Sequence, residues 1–188
     1  MQTPRLAVFV SGTGSILEAM IDQKIPIELV MADRECRGLE IAKSQAIDTE
    51  ILSRTFGKSF DRHQYTQDTI SMLIVHNIDL VAMAGYMTVF DAVIFEQYGA
   101  CIINIHPSLL PSFKGERAVA LALEFGVKVT GTTIHYATRK LDEGPIIAQE
   151  AVPVLPSDTV ETLHERIKVV ERRLYPATIR DLLANFPN

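Results

Sequence analysis

The stretch that decides the fold is Cys101-Ile102-Ile103-Asn104-Ile105-His106-Pro107-Ser108-Leu109-Leu110-Pro111. Its apolar run, ended by a histidine and a proline, predicts a buried strand that stops at a turn. Asn104 and His106 are two positions apart, so on a strand they point to the same face. Burying an amide without a partner costs roughly 1–3 kcal/mol. The pair is therefore either satisfied inside the protein or directed at a bound molecule, and an amide beside an imidazole can act in catalysis.

Apolar strand patterns alternate with helical patterns over most of the chain. Strands are predicted at 6–10, 27–32, 49–52, 79–84, 101–106, 129–136 and 146–154, and helices at 16–21, 37–46, 61–76, 89–98 and 116–125. This alternation predicts an α/β fold with a doubly wound, mostly parallel sheet (Rossmann-like) and helices on both of its faces. The last two strands are joined by a charged loop, which predicts a C-terminal antiparallel addition.

A long last helix is expected after the final strand. Asp158 followed by Glu161 predicts a capping box, and apolar residues at helical spacing continue to Leu174. Pro176 should kink the helix or restart it. With no linker, repeat or low-complexity tract, the sequence predicts a single domain spanning residues 1–188.

The composition narrows the class of protein. The chain has 188 residues, 47% hydrophobic and 22% charged, as in ordinary globular proteins. Its net charge of −5 argues against nucleic acid as a partner, and no apolar run approaches the roughly 20 residues that span a membrane. The short apolar run at the N-terminus does not resemble a signal peptide, and Cys36 and Cys101 are expected to be reduced thiols. A cytoplasmic protein is predicted.

Three segments lie at the carboxyl ends of predicted strands. They are residues 11–14, residues 85–87 and the pair at 104 and 106. Because ligands in doubly wound sheets bind at the carboxyl ends of the strands, these segments predict one shared site.

The glycine-rich turn between the first strand and helix is the candidate anion site. Gly12 and Gly14 permit a tight turn, and the backbone N–H groups at a helix start attract an anion. Leu17 stands where a dinucleotide fingerprint has glycine or alanine, whereas Asp33 stands where a ribose-binding acid would. A single phosphate fits at least as well as a dinucleotide, and nicotinamide binding stays open.

Among the five histidines, His106 and His135 stand out, since each follows a strand pattern near a turn. No cluster with metal-ligand spacing is found, so no metal is expected. Asp142 is the only acid that topology places near His106. An Asn–His–Asp set suits transfer of a carbonyl group, because amide and imidazolium stabilise an oxyanion and the acid orients the ring or relays a proton.

The segment 104–111 resembles the signature of the formyltransferases that use formyltetrahydrofolate. Within that superfamily, residues 11–15, 131–135, 141–147, Glu171 and 174–176 are similar to motifs of the phosphoribosylglycinamide formyltransferases. The resemblance covers nearly the whole chain.

The resemblance implies direct formyl transfer from 10-formyltetrahydrofolate, a co-substrate, to the amine of 5′-phosphoribosylglycinamide (glycinamide ribonucleotide) in de novo purine biosynthesis. It implies that Asn104 holds the formyl oxygen and His106 stabilises the oxyanion. Asp142 would keep His106 charged and relay a proton through water. The protein would need no metal, contact neither nucleic acid nor membrane, and be a monomer or homodimer.

The resemblance also implies the substrate contacts. Gly12, Thr13, Gly14 and Ser15 would bind the phosphate, and Glu171 the ribose or amine end. The folate contacts would be Arg62, Met87, Thr88, Val89, Phe90, Asn104, Thr138 and Asp142.

Three positions depart from the family pattern. Ile16 stands where asparagine is frequent, Thr88 where some members have arginine, and residues 116–119 replace a histidine-containing stretch. Three alternatives stay open: hydrolysis of the same folate, a nicotinamide-dependent oxidoreductase, and a folate-binding protein without catalysis.

Overall fold

A seven-stranded mixed sheet forms the centre of the protein in the computed structural model, which describes residues 3–55, 57 and 59–187. The strands are Leu6–Val10 (β1), Leu29–Ala32 (β2), Asp48–Ile51 (β3), Leu80–Met83 (β4), Ile102–His106 (β5), Val129–Tyr136 (β6) and Ile146–Pro153 (β7). The α-helices are Ser15–Asp22 (α1), Arg37–Ser44 (α2), Arg62–Val75 (α3), Ile94–Gln97 (α4), Ala118–Glu124 (α5) and Val160–Ala184 (α6).

The strand order is β3-β2-β1-β4-β5-β6-β7. Strands β1 to β5 run parallel to one another, whereas β6 is antiparallel to β5, and β7 to β6. The predicted fold class, including the antiparallel addition, is confirmed.

Alternate residues of β1 pack into two separate apolar cores, one on each face of the sheet. Leu6, Val8 and Val10 face α1, α2 and α6, whereas Ala7 and Phe9 face α3 and α4. All five side chains are fully buried. This is why the strand is a continuous apolar run and not an alternating one.

Helix α6 runs without a break through Pro176, so the predicted restart is wrong. A proline at this position cannot donate to the carbonyl of Arg172, four residues earlier. That carbonyl instead accepts a hydrogen bond from Gln23 Nε2 at 3.2 Å. Gln23, in the loop after α1, thus supplies the hydrogen bond that the carbonyl of Arg172 would otherwise lack, and the helix continues.

The start of α6 also differs from the prediction. The capping box is formed by Thr159 and Thr162, and not by Asp158 and Glu161. Asp158 accepts hydrogen bonds from Arg166 and from Leu155 N, so its carboxylate closes the preceding turn instead.

The helix expected over 89–98 is shortened to α4, since residues 89–93 form an irregular segment. Thr66 Oγ1 accepts from Asp91 N at 2.9 Å, and Asp91 Oδ1 accepts from Val93 N at 3.2 Å. These side chains satisfy backbone groups that a helix would otherwise bond. Both cysteines are free thiols, as predicted, and none of the described helices is long and apolar enough to cross a membrane.

Candidate active site

The carboxyl ends of β1, β4 and β5 meet at one edge of the sheet. Phe9 pairs with Met83, and Met83 with Asn104, so the three strands end side by side. Ser11 Oγ, just beyond β1, accepts a hydrogen bond from Met87 N at 2.9 Å. The segments that follow β1 and β4 are therefore tied together beside the end of β5.

Asn104 is oriented by a histidine of the neighbouring strand. It lies opposite His135 in the antiparallel β5–β6 pair, and its Nδ2 is 3.2 Å from His135 Nε2. The carbonyl of Tyr136 lies 2.9 Å from His135 Nδ1 and can only accept, so Nδ1 carries a proton. In the neutral ring Nε2 then accepts from the amide, which leaves the second N–H and the oxygen of Asn104 for the cleft.

Burial keeps His135 neutral. Desolvation lowers its pKa below the usual value and outweighs the opposing hydrogen bond to Tyr136 O and the charge of Asp142. At neutral pH the ring can therefore hold the amide of Asn104 in one orientation.

His106 lies between a backbone carbonyl and a carboxylate. Its Nε2 donates to Phe113 O at 2.8 Å, and its Nδ1 is 3.5 Å from Asp142 Oδ2. Both side chains are buried, at 5% and 6% exposure, so the ion pair that forms when the ring is protonated is shielded from solvent. The strand topology predicted from the sequence put three side chains close together: Asn104, His106 and Asp142. The fold does bring them together.

The backbone also fixes Asp142. Gly115 N donates to its Oδ2 at 2.8 Å, and His135 Nε2 lies 3.7 Å from its Oδ1. Asp142 has a positive φ of 54°, a conformation that aspartate tolerates better than most residues. The loop between β6 and β7 therefore presents this carboxylate to two histidines at once.

A cleft opens beside this cluster, with about 620 Å³ of empty space, counting the part open to solvent. One wall is the segment after β4 and the other is the β6–β7 loop. Of the expected folate contacts, Met87, Thr88, Val89, Phe90, Asn104, Thr138 and Asp142 line it. Arg62 is not among the residues that line the cleft; it is exposed at the first position of α3.

Aromatic rings form part of the wall. Tyr86 and Phe90 stack with ring centroids 5.5 Å apart, and Phe9 packs against both from β1. A flat heterocycle is the kind of ligand that such a surface favours.

Asp33 does not face this cleft as a ribose-binding acid would. It is fully buried and accepts two hydrogen bonds from Arg34 and one from Thr88 Oγ1 at 2.7 Å. Burial alone would raise its pKa, but the hydrogen bonds from Arg34, Thr88 and Ser11 lower it below the usual value. Its oxygen atoms already have internal partners, which weighs against the nicotinamide alternative.

The glycine-rich turn has the geometry that its sequence predicts. Gly14 has a φ of 72° and precedes α1, and a Cβ there would lie 2.7 Å from the Cα of Gly38. Gly38 N donates to Gly12 O at 3.1 Å, so the start of α2 packs against the turn. Gly12 and Thr13 are exposed and Ser15 begins α1, which leaves the helix start accessible to an anion.

Glu171 approaches the cluster from α6 on the other face of the sheet. It is 5% exposed, and burial raises its pKa to about 7, although a hydrogen bond from Thr132 lowers it. Thr132 Oγ1 lies 3.3 Å from Glu171 Oε1 and 3.2 Å from the carbonyl of His106. Glu171 is therefore linked through one hydroxyl to the end of β5.

Some contributors to the site give no signal in the sequence. Phe113 acts through its carbonyl, which no side-chain pattern reveals, and Thr132 is one of several threonines on β6. Arg54, which lies beside Met87 and Thr88, follows a short exposed strand and shows no motif. His135 stood out in the sequence, but its partner Asn104 did not follow from spacing.

Residues that depart from the family pattern are buried in the structure at two places. Ile16 is buried in the core beneath α1, and Ala118 and Val119 are buried at the start of α5. Among the described residues, no group of three or more His, Cys, Asp or Glu side chains is arranged to hold a metal ion.

Comparisons with known proteins agree with this geometry. A model of the formyl transferase family matches residues 4–179. Phosphoribosylglycinamide formyltransferase of Bacillus subtilis is 38% identical over 187 residues, which cover 95% of this chain and 94% of that protein. The human trifunctional purine biosynthetic protein adenosine-3 is 39% identical over 183 residues, and the chain spans 94% of its own length but 18% of that protein.

Solved structures give the same result. The crystal structure of phosphoribosylglycinamide formyltransferase from Bacillus halodurans superimposes with a TM-score of 0.90 at 39% identity, covering 98% of this chain and 97% of that one. The doubly wound sheet and its edge cluster place the protein among α/β enzymes of group transfer. The chain belongs to the formyl transferase family.

Proposed function

We propose that the protein transfers the formyl group of 10-formyltetrahydrofolate to the amine of 5′-phosphoribosylglycinamide, a step of purine biosynthesis. The observation that carries the proposal is that Asn104 and Asp142 line the cleft, with His106 paired to Asp142 directly behind it, near an accessible glycine-rich turn. The names of the relatives support the substrates.

The chemistry needs only the chain's own residues. The substrate amine attacks the formyl carbon, a C–N bond forms, and the carbonyl oxygen becomes an oxyanion. His106 Nε2 already donates its hydrogen bond to Phe113 O. Nδ1 is therefore the nitrogen that can donate to the oxyanion and pair with Asp142. The free N–H of Asn104 adds a second donor.

Collapse of the tetrahedral intermediate breaks the bond to N10 of the folate, which leaves as tetrahydrofolate with a proton on nitrogen. The attacking amine loses a proton, and Asp142 is the buried acid placed to take it up or pass it on through water. The proton gained by N10 balances the proton lost by the amine, so no redox partner or covalent enzyme intermediate is required.

The two substrates would bind on either side of the cluster. The turn at 12–15 would hold the phosphate, and Glu171 the ribose or amine end. The flat pterin would lie in the cleft against Tyr86 and Phe90. We place the reaction in the cytoplasm and in one domain comprising residues 1–188, as a monomer or homodimer that contacts neither nucleic acid nor membrane.

One experiment separates transfer from hydrolysis. Loss of 10-formyltetrahydrofolate is followed with and without 5′-phosphoribosylglycinamide, and the formylated product is quantified. Turnover that needs the amine and yields one formylated product per folate consumed supports the proposal. Equal folate loss without the amine would establish the hydrolase instead, and folate binding without turnover would establish a binding protein.

A further inference from the structure

A buried carboxylate, that of Asp33, lies at the carboxyl edge of the sheet and has no part in the chemistry of formyl transfer. Asp33 directly follows β2 and is completely shielded from solvent. Its Oδ1 accepts from Arg34 Nε at 2.8 Å, and its Oδ2 accepts from Arg34 Nη2 at 2.9 Å. A carboxylate held by such a pair stays charged although it is buried. Asp33 is therefore a strong hydrogen-bond acceptor for the neighbouring strand ends.

Thr88 connects this carboxylate to the wall of the cleft. Its Oγ1 donates to Asp33 Oδ2 at 2.7 Å, a short, charge-assisted hydrogen bond. Thr88 is buried in the segment after β4 that lines the cleft. Because β1 lies between β2 and β4 in the sheet, the bond spans the end of β1. The wall is thus held from β2, a strand that does not line the cleft.

Ser11 connects the same carboxylate to the glycine-rich turn. Its hydroxyl donates to Asp33, and its oxygen accepts from Met87 N at 2.9 Å. Ser11 is buried and directly precedes Gly12, where the turn proposed to bind the phosphate begins. One carboxylate therefore accepts a hydrogen bond from each of two segments, and each segment is proposed to bind a different substrate.

We propose that Asp33 is a positioning residue for both substrates, acting through Ser11 on the glycine-rich turn and through Thr88 on the folate wall. The inference rests on the proposed function and adds to it a link between the two binding sites. Both hydroxyls donate to Asp33, so neither is free to donate to a substrate, and their effect on binding is indirect. A buried network whose polar groups have partners holds one arrangement of the segments that it joins.

Asp33→Asn keeps the shape of the side chain but removes its charge and one acceptor atom, so the bonds from Ser11, Thr88 and Arg34 must rearrange. We expect the KM for 5′-phosphoribosylglycinamide and the KM for 10-formyltetrahydrofolate each to rise roughly threefold or more, with kcat changed by less than about twofold. Steady-state kinetics with the other substrate saturating measures each value. A merely structural role would lower the folded fraction, and with it the apparent kcat, but would leave both KM values unchanged.

A double-mutant cycle with Thr88→Val tests the route to the folate. Valine has the shape of threonine without the hydroxyl, so Thr88→Val should raise the KM for the folate and leave that for 5′-phosphoribosylglycinamide nearly unchanged. In the Thr88→Val background, Asp33→Asn should raise the folate KM little further but should still raise the KM for 5′-phosphoribosylglycinamide. Thr88→Val also removes the contact of Thr88 Oγ1 with Arg54 Nη1, 3.4 Å away, but this loss is common to both arms of the cycle. Thr88→Ser keeps the hydroxyl and should restore most of the affinity for the folate.

Asp158→Asn is the matched control. The Asp158 side chain is also buried and accepts from both Nη atoms of Arg166 at 2.7 Å, but it lies at the start of α6, outside the cleft and the glycine-rich turn. Its substitution should lower the melting temperature and change neither KM. Thermal melting of every variant gives an assay temperature at which all are folded. If Asp33→Asn does not fold, the comparison of Thr88→Val with Thr88→Ser still tests the link to the folate.

Four results would overturn the inference. They are unchanged KM values in Asp33→Asn, a rise in KM for one substrate only, additive effects of Asp33→Asn and Thr88→Val on the folate KM, or equal folate KM values in Thr88→Val and Thr88→Ser. These differ from failure of the proposed function, in which the wild-type enzyme transfers no formyl group to 5′-phosphoribosylglycinamide and the inference falls with it.

Discussion

The two ring nitrogens of His106 face different oxygen atoms, and this division limits what the imidazole can do. A backbone carbonyl holds Nε2, so the ring cannot turn, and Nδ1 is directed toward Asp142. A histidine free to rotate would have to be ordered in each catalytic cycle, at a cost in entropy that this arrangement avoids.

Replacing either member of the His106–Asp142 pair should lower activity without unfolding the protein. We expect His106→Ala and Asp142→Ala each to reduce kcat by at least about 100-fold, because oxyanion stabilisation or proton transfer is lost. Steady-state assays with both substrates measure the effect. His63→Ala, at an exposed position of α3, should keep wild-type turnover. Near-normal turnover in either site variant would rule out the mechanism.

Glu171 should make stability depend on pH. Since burial raises its pKa from 4.5 to about 7, its contribution is fully present below about pH 4.5 and is lost as pH rises through 7. Glu171→Gln cannot ionise, so it should gain roughly 2–3 kcal/mol relative to the wild type between pH 5 and pH 8. Urea denaturation at the two pH values measures this gain.

Exposed Glu18 on α1 supplies the comparison for that experiment. The Glu18→Gln variant should track the wild type at both pH values. If Glu171→Gln does the same, the carboxyl of Glu171 is not desolvated in solution.

At the scale of elements, the site depends on how segments approach one another. The turn before α1 is one case, because the start of α2 leaves no room for a side chain at Gly14. The β6–β7 loop is another, since it delivers both a wall of the cleft and Asp142.

Gly14→Ala and Gly12→Ala form a matched pair. Alanine at 14 must adopt a positive φ and meet the Cα of Gly38, whereas alanine at 12 meets nothing within 4 Å. We expect Gly14→Ala to raise the KM for 5′-phosphoribosylglycinamide roughly tenfold or more and to cost about 1–3 kcal/mol of stability. Gly12→Ala should leave stability nearly unchanged. Equal stability of the two variants would contradict the packing described here.

Tyr175 joins α6 to the middle of the sheet. Its fully buried hydroxyl lies 3.1 Å from Met83 O and 3.0 Å from Ile103 O, the carbonyls of two adjacent strands. Tyr175→Phe should therefore reduce the free energy of unfolding by about 1–3 kcal/mol, as expected when a buried partner is removed. Chemical denaturation measures it, and an unchanged midpoint would show that the hydroxyl contributes nothing.

At the scale of the whole molecule, the sheet should open from its sides. Strands β1, β4 and β5 lie in the middle, whereas β3 is exposed at one edge and β7 at the other. We expect amide hydrogen exchange to be slowest in β1, β4 and β5 and fastest in β3 and β7. Protection of β7 equal to that of β1 would contradict this order and show that the edge is covered in solution.

Much of this architecture could be predicted from the sequence, because it follows from local patterns. Apolar runs such as Leu6–Val10 predicted buried strands. The alternation of side chains along a strand put Asn104 and His106 on one face. The continuation of α6 through Pro176 could not be predicted, because it depends on Gln23, distant in sequence. The hydrogen bond that fixes the ring of His106 could not be predicted either, because its partner is the backbone carbonyl of Phe113. Contacts between distant segments and contacts to backbone groups produce no periodic pattern in the sequence.

The reversal of direction at β6 has a consequence for how such enzymes diversify. Because β6 and β7 form a hairpin, the nine residues from Ala137 to Pro145 form one uninterrupted loop that carries both a wall of the cleft and Asp142. The glycine-rich turn at residues 12–15 belongs to a separate strand–helix unit near the other end of the chain. Exchange of this loop alone would therefore alter the side of the site proposed to bind the folate, while the glycine-rich turn proposed to bind the phosphate stays intact.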